Sequence, residues 1–176
     1  MILRRVALVG LRGSGKTTVA ACLAERWGCA WEDLDHTLAQ AQGATSASEL
    51  LQRAGEARFR ALEWAHVQAQ AQLSTASIWA TGGGLVVQPL ARAWLARNAL
   101  VVWLDAPVDV LVQRLQRDPH QRPALTALTV PEEVRWLYQQ REHAYRSCAH
   151  LILDAARSPE IVAQELAQRL AAYTSA

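Results

Sequence analysis

A single lysine occurs in this sequence, Lys16, and it stands inside Gly10-Leu11-Arg12-Gly13-Ser14-Gly15-Lys16-Thr17; the other seventeen strongly basic side chains are arginines. The segment fits the pattern Gly, four residues, Gly-Lys-Ser/Thr of a phosphate-binding loop. Its context fits as well, because a strand-like run, Val6-Ala7-Leu8-Val9, precedes it and a helix-like run begins at Thr17. In such a loop the backbone N–H groups converge on phosphate oxygens and the helix N-terminus adds its positive end. A compact ammonium suits that cradle better than the planar fork of arginine. Gly13, Ser14, Gly15, Lys16, Thr17 and Thr18 are therefore the candidate ligands for the phosphates of a nucleotide. Two further groups could take part in phosphate chemistry. Asp33 and Asp35 stand two apart at a predicted strand end, and Gly82-Gly83-Gly84 follows another predicted strand. Consecutive glycines let a substrate approach backbone N–H groups with no Cβ in the way.

The elements that must hold these residues alternate along the whole chain. Strands are predicted over 2–9, 29–33, 77–80, 100–104 and 150–153, and helices over 17–27, 37–42, 47–53, 56–72, 90–96, 108–117, 132–146 and 159–171. Short apolar strands separated by helices predict an α/β fold, a five-stranded parallel sheet with helices on both faces. Crossovers of one hand place the loops that follow the strands at one sheet edge, so the phosphate loop, the aspartate pair and the triple glycine should meet there. The segment 118–130 carries Pro119 and Pro123, is closed by Pro131, and reads as a loop. Asp35 has a second use open to it, as cap of the helix starting near Thr37.

Bulk properties exclude several classes. At 176 residues with 51% hydrophobic content, one globular domain over 1–176 is expected. A net charge of +2 gives no basic surface for a nucleic acid, and no apolar run approaches the ~20 residues of a membrane span. Cys22, Cys29 and Cys148 have neither disulfide nor metal-ligand spacing, which suits a reducing compartment; a cytoplasmic location is expected. The tryptophans Trp31, Trp64, Trp79 and Trp103 read as core, and Arg4 and Arg5 as the solvated start of the first strand.

Beyond the phosphate loop, Gly55-Glu56 precedes Phe59-Arg60-Ala61-Leu62-Glu63; then come Ala80-Thr81-Gly82-Gly83-Gly84, Arg122-Pro123-Ala124-Leu125, and Arg141, Tyr145 and Arg146. In this order and spacing the series resembles the shikimate kinase family. Leu11-Arg12-Gly13, Thr17-Thr18 and Asp105-Ala106-Pro107-Val108 are similar to its second bacterial isoenzyme type. The resemblance runs from about Val6 to Asp154 and implies a P-loop kinase core. It also implies a substrate-binding helical segment over about 34–72 and a lid over about 117–130. The implied reaction is transfer of the γ-phosphoryl group of ATP to the 3-hydroxyl of shikimate, with Mg²⁺, in aromatic amino acid biosynthesis. Arg60 and Arg141 would clamp the substrate carboxylate, Glu63 would orient Arg60, and Gly82, Gly83 and Gly84 would offer backbone donors. Asp35 would face the reacting hydroxyl. Thr17 would ligate Mg²⁺, with Asp33 reaching it through water. Arg122 would close over the phosphates, while Arg114 and Pro159 would hold adenine. Ala124 departs from the family's usual leucine or threonine, which bears on lid packing. A monomer is expected, with ATP and shikimate as its partners. Two other readings stay open on the residues alone: a kinase for another small polyol acid such as gluconate, and a nucleotide-binding regulatory domain.

Overall fold

In a computed structural model, which describes residues 5–118 and 128–174, five parallel strands form one sheet in the order β2-β3-β1-β4-β5. The strands are β1 (Arg5–Val9), β2 (Trp31–Asp33), β3 (Ile78–Ala80), β4 (Ala99–Asp105) and β5 (Leu151–Asp154). The helices are α1 (Lys16–Trp27), α2 (Leu34–Ala41), α3 (Ala47–Ala54), α4 (Glu56–Leu73), α5 (Pro89–Asn98), α6 (Val108–Arg117), α7 (Val130–Cys148) and α8 (Pro159–Thr174). The central strand carries Val6, Ala7, Leu8 and Val9, all buried, because helices cover both of its faces. It pairs with β3 through Val6 and Ile78 and with β4 through Val6 and Leu100. Thr81 ties the end of β3 to β1 by donating its hydroxyl to Leu8 O at 3.0 Å.

Several boundaries differ from the sequence reading for local reasons. The second strand starts at Trp31, since Cys29 donates its N–H to Ala24 O and so belongs to the end of α1. The helix after it begins at Leu34, and its cap is Asp33, whose Oδ1 accepts from the N–H groups of Asp35 and His36. Asp35 thus lies in the first turn and is not the cap. The last turn before Glu132 is helical too: Thr129 and Glu132 form a capping box at α7. Pro131 sits in the first turn, where a missing N–H costs nothing. A short 3-10 turn, Leu85–Val87, follows the triple glycine.

Two apolar clusters organise the packing. The larger fills both faces of the sheet and includes Trp79 and Trp103. Trp103 stacks on Tyr145 of α7 at 5.7 Å, and Trp79 on Trp94 of α5 at 6.3 Å. The smaller is Leu38, Ala39, Ala44, Leu50 and Phe59, contributed by α2, α3, α4 and the turn after α2. It gives the segment that carries Asp35 and Arg60 a packing unit of its own. Two side chains depart from expectation. Trp31 is 37% exposed on edge strand β2. Arg5 is only partly exposed: it donates to Ala76 O and Ser74 O, and its guanidinium lies 4.0 Å over the Trp79 ring, while Arg4 lies outside the described residues.

Because Trp103 is fully buried between β4 and α7, Trp103→Ala should cost about 3–5 kcal/mol. Urea unfolding, read as a lower midpoint with an unchanged slope, measures it.

Candidate active site

At the end of β1 the chain turns into the phosphate loop, and Gly15, at φ 88°, starts α1 in a left-handed conformation. Lys16 Nζ donates to Gly10 O and Leu11 O, both at 2.8 Å. Thr17 donates its hydroxyl to Asp33 Oδ2 at 2.7 Å. These residues border a cavity of about 920 Å³ that also reaches Thr18, Arg114 and Pro159. Arg114 spans from α6 to Gly13 O and to the carbonyls of Ala156 and Arg157, so it joins the phosphate loop to the turn before α8.

A second cavity, of about 100 Å³, adjoins the first and is walled by Arg60, Glu63, Gly82, Gly83, Gly84 and Arg141 among others. Its floor is polar and tightly packed. Arg60 donates to Glu63 Oε2 at 2.8 Å, and Gln88 donates to the same oxygen at 3.1 Å. Glu63 Oε1 is buried and has no hydrogen-bond partner. The glycines are needed here on steric grounds. A Cβ on Gly82 would fall 2.5 Å from Asp35 Oδ1 and 2.6 Å from Glu63 Oε1, and one on Gly84 would overlap the Arg60 guanidinium. Tyr145 donates to Gly83 O at 2.5 Å and so fixes the middle of the triple glycine.

The electrostatics of this floor follow from burial. Desolvation raises the Asp35 pKa to about 7, and the neighbouring carboxylates of Glu63 and Asp33 push it the same way; Lys16 and Arg60 oppose them. Glu63 is also shifted upward by desolvation, against Arg60, Gln88 and Arg141. Burial raises the Tyr145 phenol, so it remains a donor at neutral pH.

Loops after β1, β2 and β3 therefore meet at one sheet edge, as the alternation of elements predicts. Lys16, Thr17, Asp33 and Asp35 come together there with Arg60, Arg141 and the triple glycine. Arg122 lies outside the described residues. Sequence reasoning gave no role of their own to Arg12 and Glu133, joined at 2.8 Å although 121 residues apart, or to Gln88. The second residue of the Arg12–Glu133 pair sits in an unremarkable helical run, and only the topology brings it near. For a divalent cation the donor chemistry fits. The Thr17 proton is directed at Asp33 Oδ2, which leaves the hydroxyl's lone pairs for a hard cation. Among the described residues no group of three His, Cys, Asp or Glu side chains forms an all-protein cage. That composition matches a cation held chiefly by substrate phosphates and water.

Comparison with known proteins bears on the family and the fold. A family model described as "Shikimate kinase" matches residues 12–171. "Shikimate kinase 2" of Shigella boydii is 40% identical over 166 residues, 93% of this chain and 94% of its own. Among solved structures, shikimate kinase from Acinetobacter baumannii in complex with shikimate superposes with a TM-score of 0.88 at 32% identity, covering 98% of this chain and 95% of that one. Shikimate kinase from Bacteroides thetaiotaomicron gives 0.86 at 27% identity, covering 95% and 98%.

The raised Asp35 pKa has a stability consequence. The unfolded chain releases this proton near pH 4, whereas the folded chain keeps it to about 7, so the native state holds more protons across that window. Stability contributed by Asp35 is present below pH 4 and is lost as pH rises to 7. Asp35→Asn carries no titrating group, so relative to wild type it should gain stability between pH 4 and 7 and level off above, by roughly 2–4 kcal/mol at most. Thermal melts of both proteins at pH 4.5 and pH 8 check the sign.

Proposed function

The chain belongs to the shikimate kinase family, and from that premise we propose how its residues divide the work of an ATP-dependent shikimate 3-phosphotransferase. The reaction of the family transfers the γ-phosphoryl group of ATP to the 3-hydroxyl of shikimate. The observation that carries the residue assignment is the position of Asp35. It borders both cavities, and its carboxyl is shifted to about 7, where a group can take a proton near neutral pH.

ATP occupies the larger cavity, with its phosphates over the backbone N–H groups of Gly13, Ser14, Gly15 and Lys16 and the hydroxyls of Thr17 and Thr18. Arg114 and Pro159 flank the base. Shikimate occupies the smaller cavity. Its carboxylate meets the guanidiniums of Arg60 and Arg141, and the backbone of Gly82 to Gly84 lies along the ring. Asp35 accepts the proton of the 3-hydroxyl as its oxygen attacks phosphorus. Lys16 neutralises the charge that develops on the phosphates, and Arg122 joins it from the lid at about 117–130. Thr17, backed by Asp33, holds the divalent cation, which we assign as Mg²⁺; when bound it supplies charge neutralisation on the phosphate oxygens. Phosphoryl transfer asks the protein mainly for positioning and electrostatics, and this arrangement offers both. We further propose one kinase domain over 1–176, with 34–72 as its substrate segment, acting as a monomer in the cytoplasm.

Purified protein should consume ATP with shikimate and not with gluconate or quinate; coupled ADP detection with each acceptor measures this. Turnover of gluconate alone would overturn the acceptor. The second expectation concerns pH. If Asp35 must be ionised, kcat/KM for shikimate should fall about tenfold per unit below pH 7. Asp35→Asn should lose that limb and lower kcat by roughly 10²–10⁴. A drop of less than tenfold would demote Asp35 to an orienting group.

A further inference from the structure

The two cavities share five lining residues: Arg12, Asp35, Ala47, Ser48 and Gly83. Only Arg12 and Asp35 among them carry charge. Any phosphoryl group passing from nucleotide to acceptor crosses the seam these residues form, which carries one carboxyl group and one guanidinium. Arg12 is held in place. Its Nη1 bonds Glu133 Oε1 of α7 at 2.8 Å, and the two side chains are 14% and 4% exposed. Gly83 lies close to the backbone of Arg12, for a Cβ on Gly83 would come within 3.6 Å of Arg12 N and 3.2 Å of Gly10 O. The phosphate loop and the triple glycine thus touch at this point.

Packing alone does not explain the pair. A buried carboxylate and a partly buried guanidinium give up much of their hydration, and apolar side chains of similar volume commonly serve as well or better. A guanidinium held rigid beside the path of a transferred group has a different use: it is already oriented when charge develops, so no reorganisation is needed. Planar donors match phosphoryl oxygens two at a time.

We propose that Arg12 is a catalytic residue of this kinase, with its guanidinium, anchored on Glu133, contacting the phosphoryl group as it crosses the seam between the cavities. The inference rests on the assignment of ATP and shikimate to those cavities. In the step itself the shikimate 3-oxygen forms the new bond to phosphorus. The bond from phosphorus to the bridging oxygen breaks with its electron pair going to ADP, and the hydroxyl proton passes to Asp35. Arg12 exchanges no atom. It spreads the charge of the three equatorial oxygens, and its contact persists with the phosphate of the product.

The test replaces both partners, Arg12→Met with Glu133→Met, so that no buried charge is left unpaired. Expected is a fall in kcat of roughly a hundredfold or more, with KM for ATP and shikimate within about threefold of wild type. Binding of shikimate 3-phosphate, followed by calorimetry, should weaken by roughly tenfold or more while shikimate affinity holds. A merely structural pair would shift both affinities together, or neither. If the double variant does not fold, Arg12→Gln, whose amide can still reach Glu133, carries the same expectation. A kcat within threefold of wild type, or equal losses for shikimate and its phosphate, would overturn the proposal. Wild-type protein run alongside separates this from the assignment beneath it, since absence of shikimate turnover there removes both.

Discussion

Glu63 is a carboxylate that the rest of the acceptor pocket is built around. Its burial on α4 is tolerable only because Arg60, one turn earlier, and Gln88, at the start of α5, both donate to one of its oxygens. The other oxygen has no hydrogen-bond partner and faces Asp35 across the position of Gly82. From this follow three features of the site. Arg60 is locked into one orientation, the residue after Thr81 cannot carry a side chain, and the Asp35 pKa, raised first by desolvation, is pushed further up by the Glu63 carboxylate. A buried carboxyl left half-satisfied is a poor device for stability. It is a good one for a base that must be ready to accept a proton and a cation that must not wander.

The scaffold supplies the remaining constraint. With β1 central and β3 and β4 on either side, three loops from different parts of the chain end at one edge. The triple glycine lies against the phosphate loop there, and Tyr145 of α7 pins its central carbonyl. The helices carrying Asp35 and Arg60 pack through a small cluster around Phe59 and Leu50, apart from the sheet's own core. Pocket geometry therefore depends on two packing units meeting, with the glycines at the junction.

What the sequence showed and what it hid divide along a physical line. Strand and helix alternation, the phosphate loop and the aspartate pair are local patterns, and local patterns fix local conformation. Boundaries were harder wherever a single side chain decides them: Asp33 begins α2 earlier than the first helical pattern suggests, and the Thr129–Glu132 box begins α7 before its proline. Arg5 shows the limit most clearly. Its place at a strand start reads as solvent-facing, yet Trp79, seventy-four positions on, provides a face for its guanidinium, and the carbonyls at Ser74 and Ala76 receive its protons. The Arg12–Glu133 pair is invisible for the same reason. Nothing near either residue announces the other.

The one lysine can now be placed in this balance. Arginine supplies a planar cation at three of the places described above: over the Trp79 ring, bonded to Glu63, and paired with Glu133. Lys16 does something a planar fork cannot. Its ammonium reaches back to two carbonyls of its own loop, Gly10 and Leu11, each at 2.8 Å. A tetrahedral head presents donors in three directions, so closing the loop and meeting a phosphate are compatible within one small group. A guanidinium holds its donors in one plane and cannot spread them in this way. The arginines at Trp79, Glu63 and Glu133 thus sit on partners away from the phosphate loop, while the single lysine of the sequence stands in that loop and helps to close it.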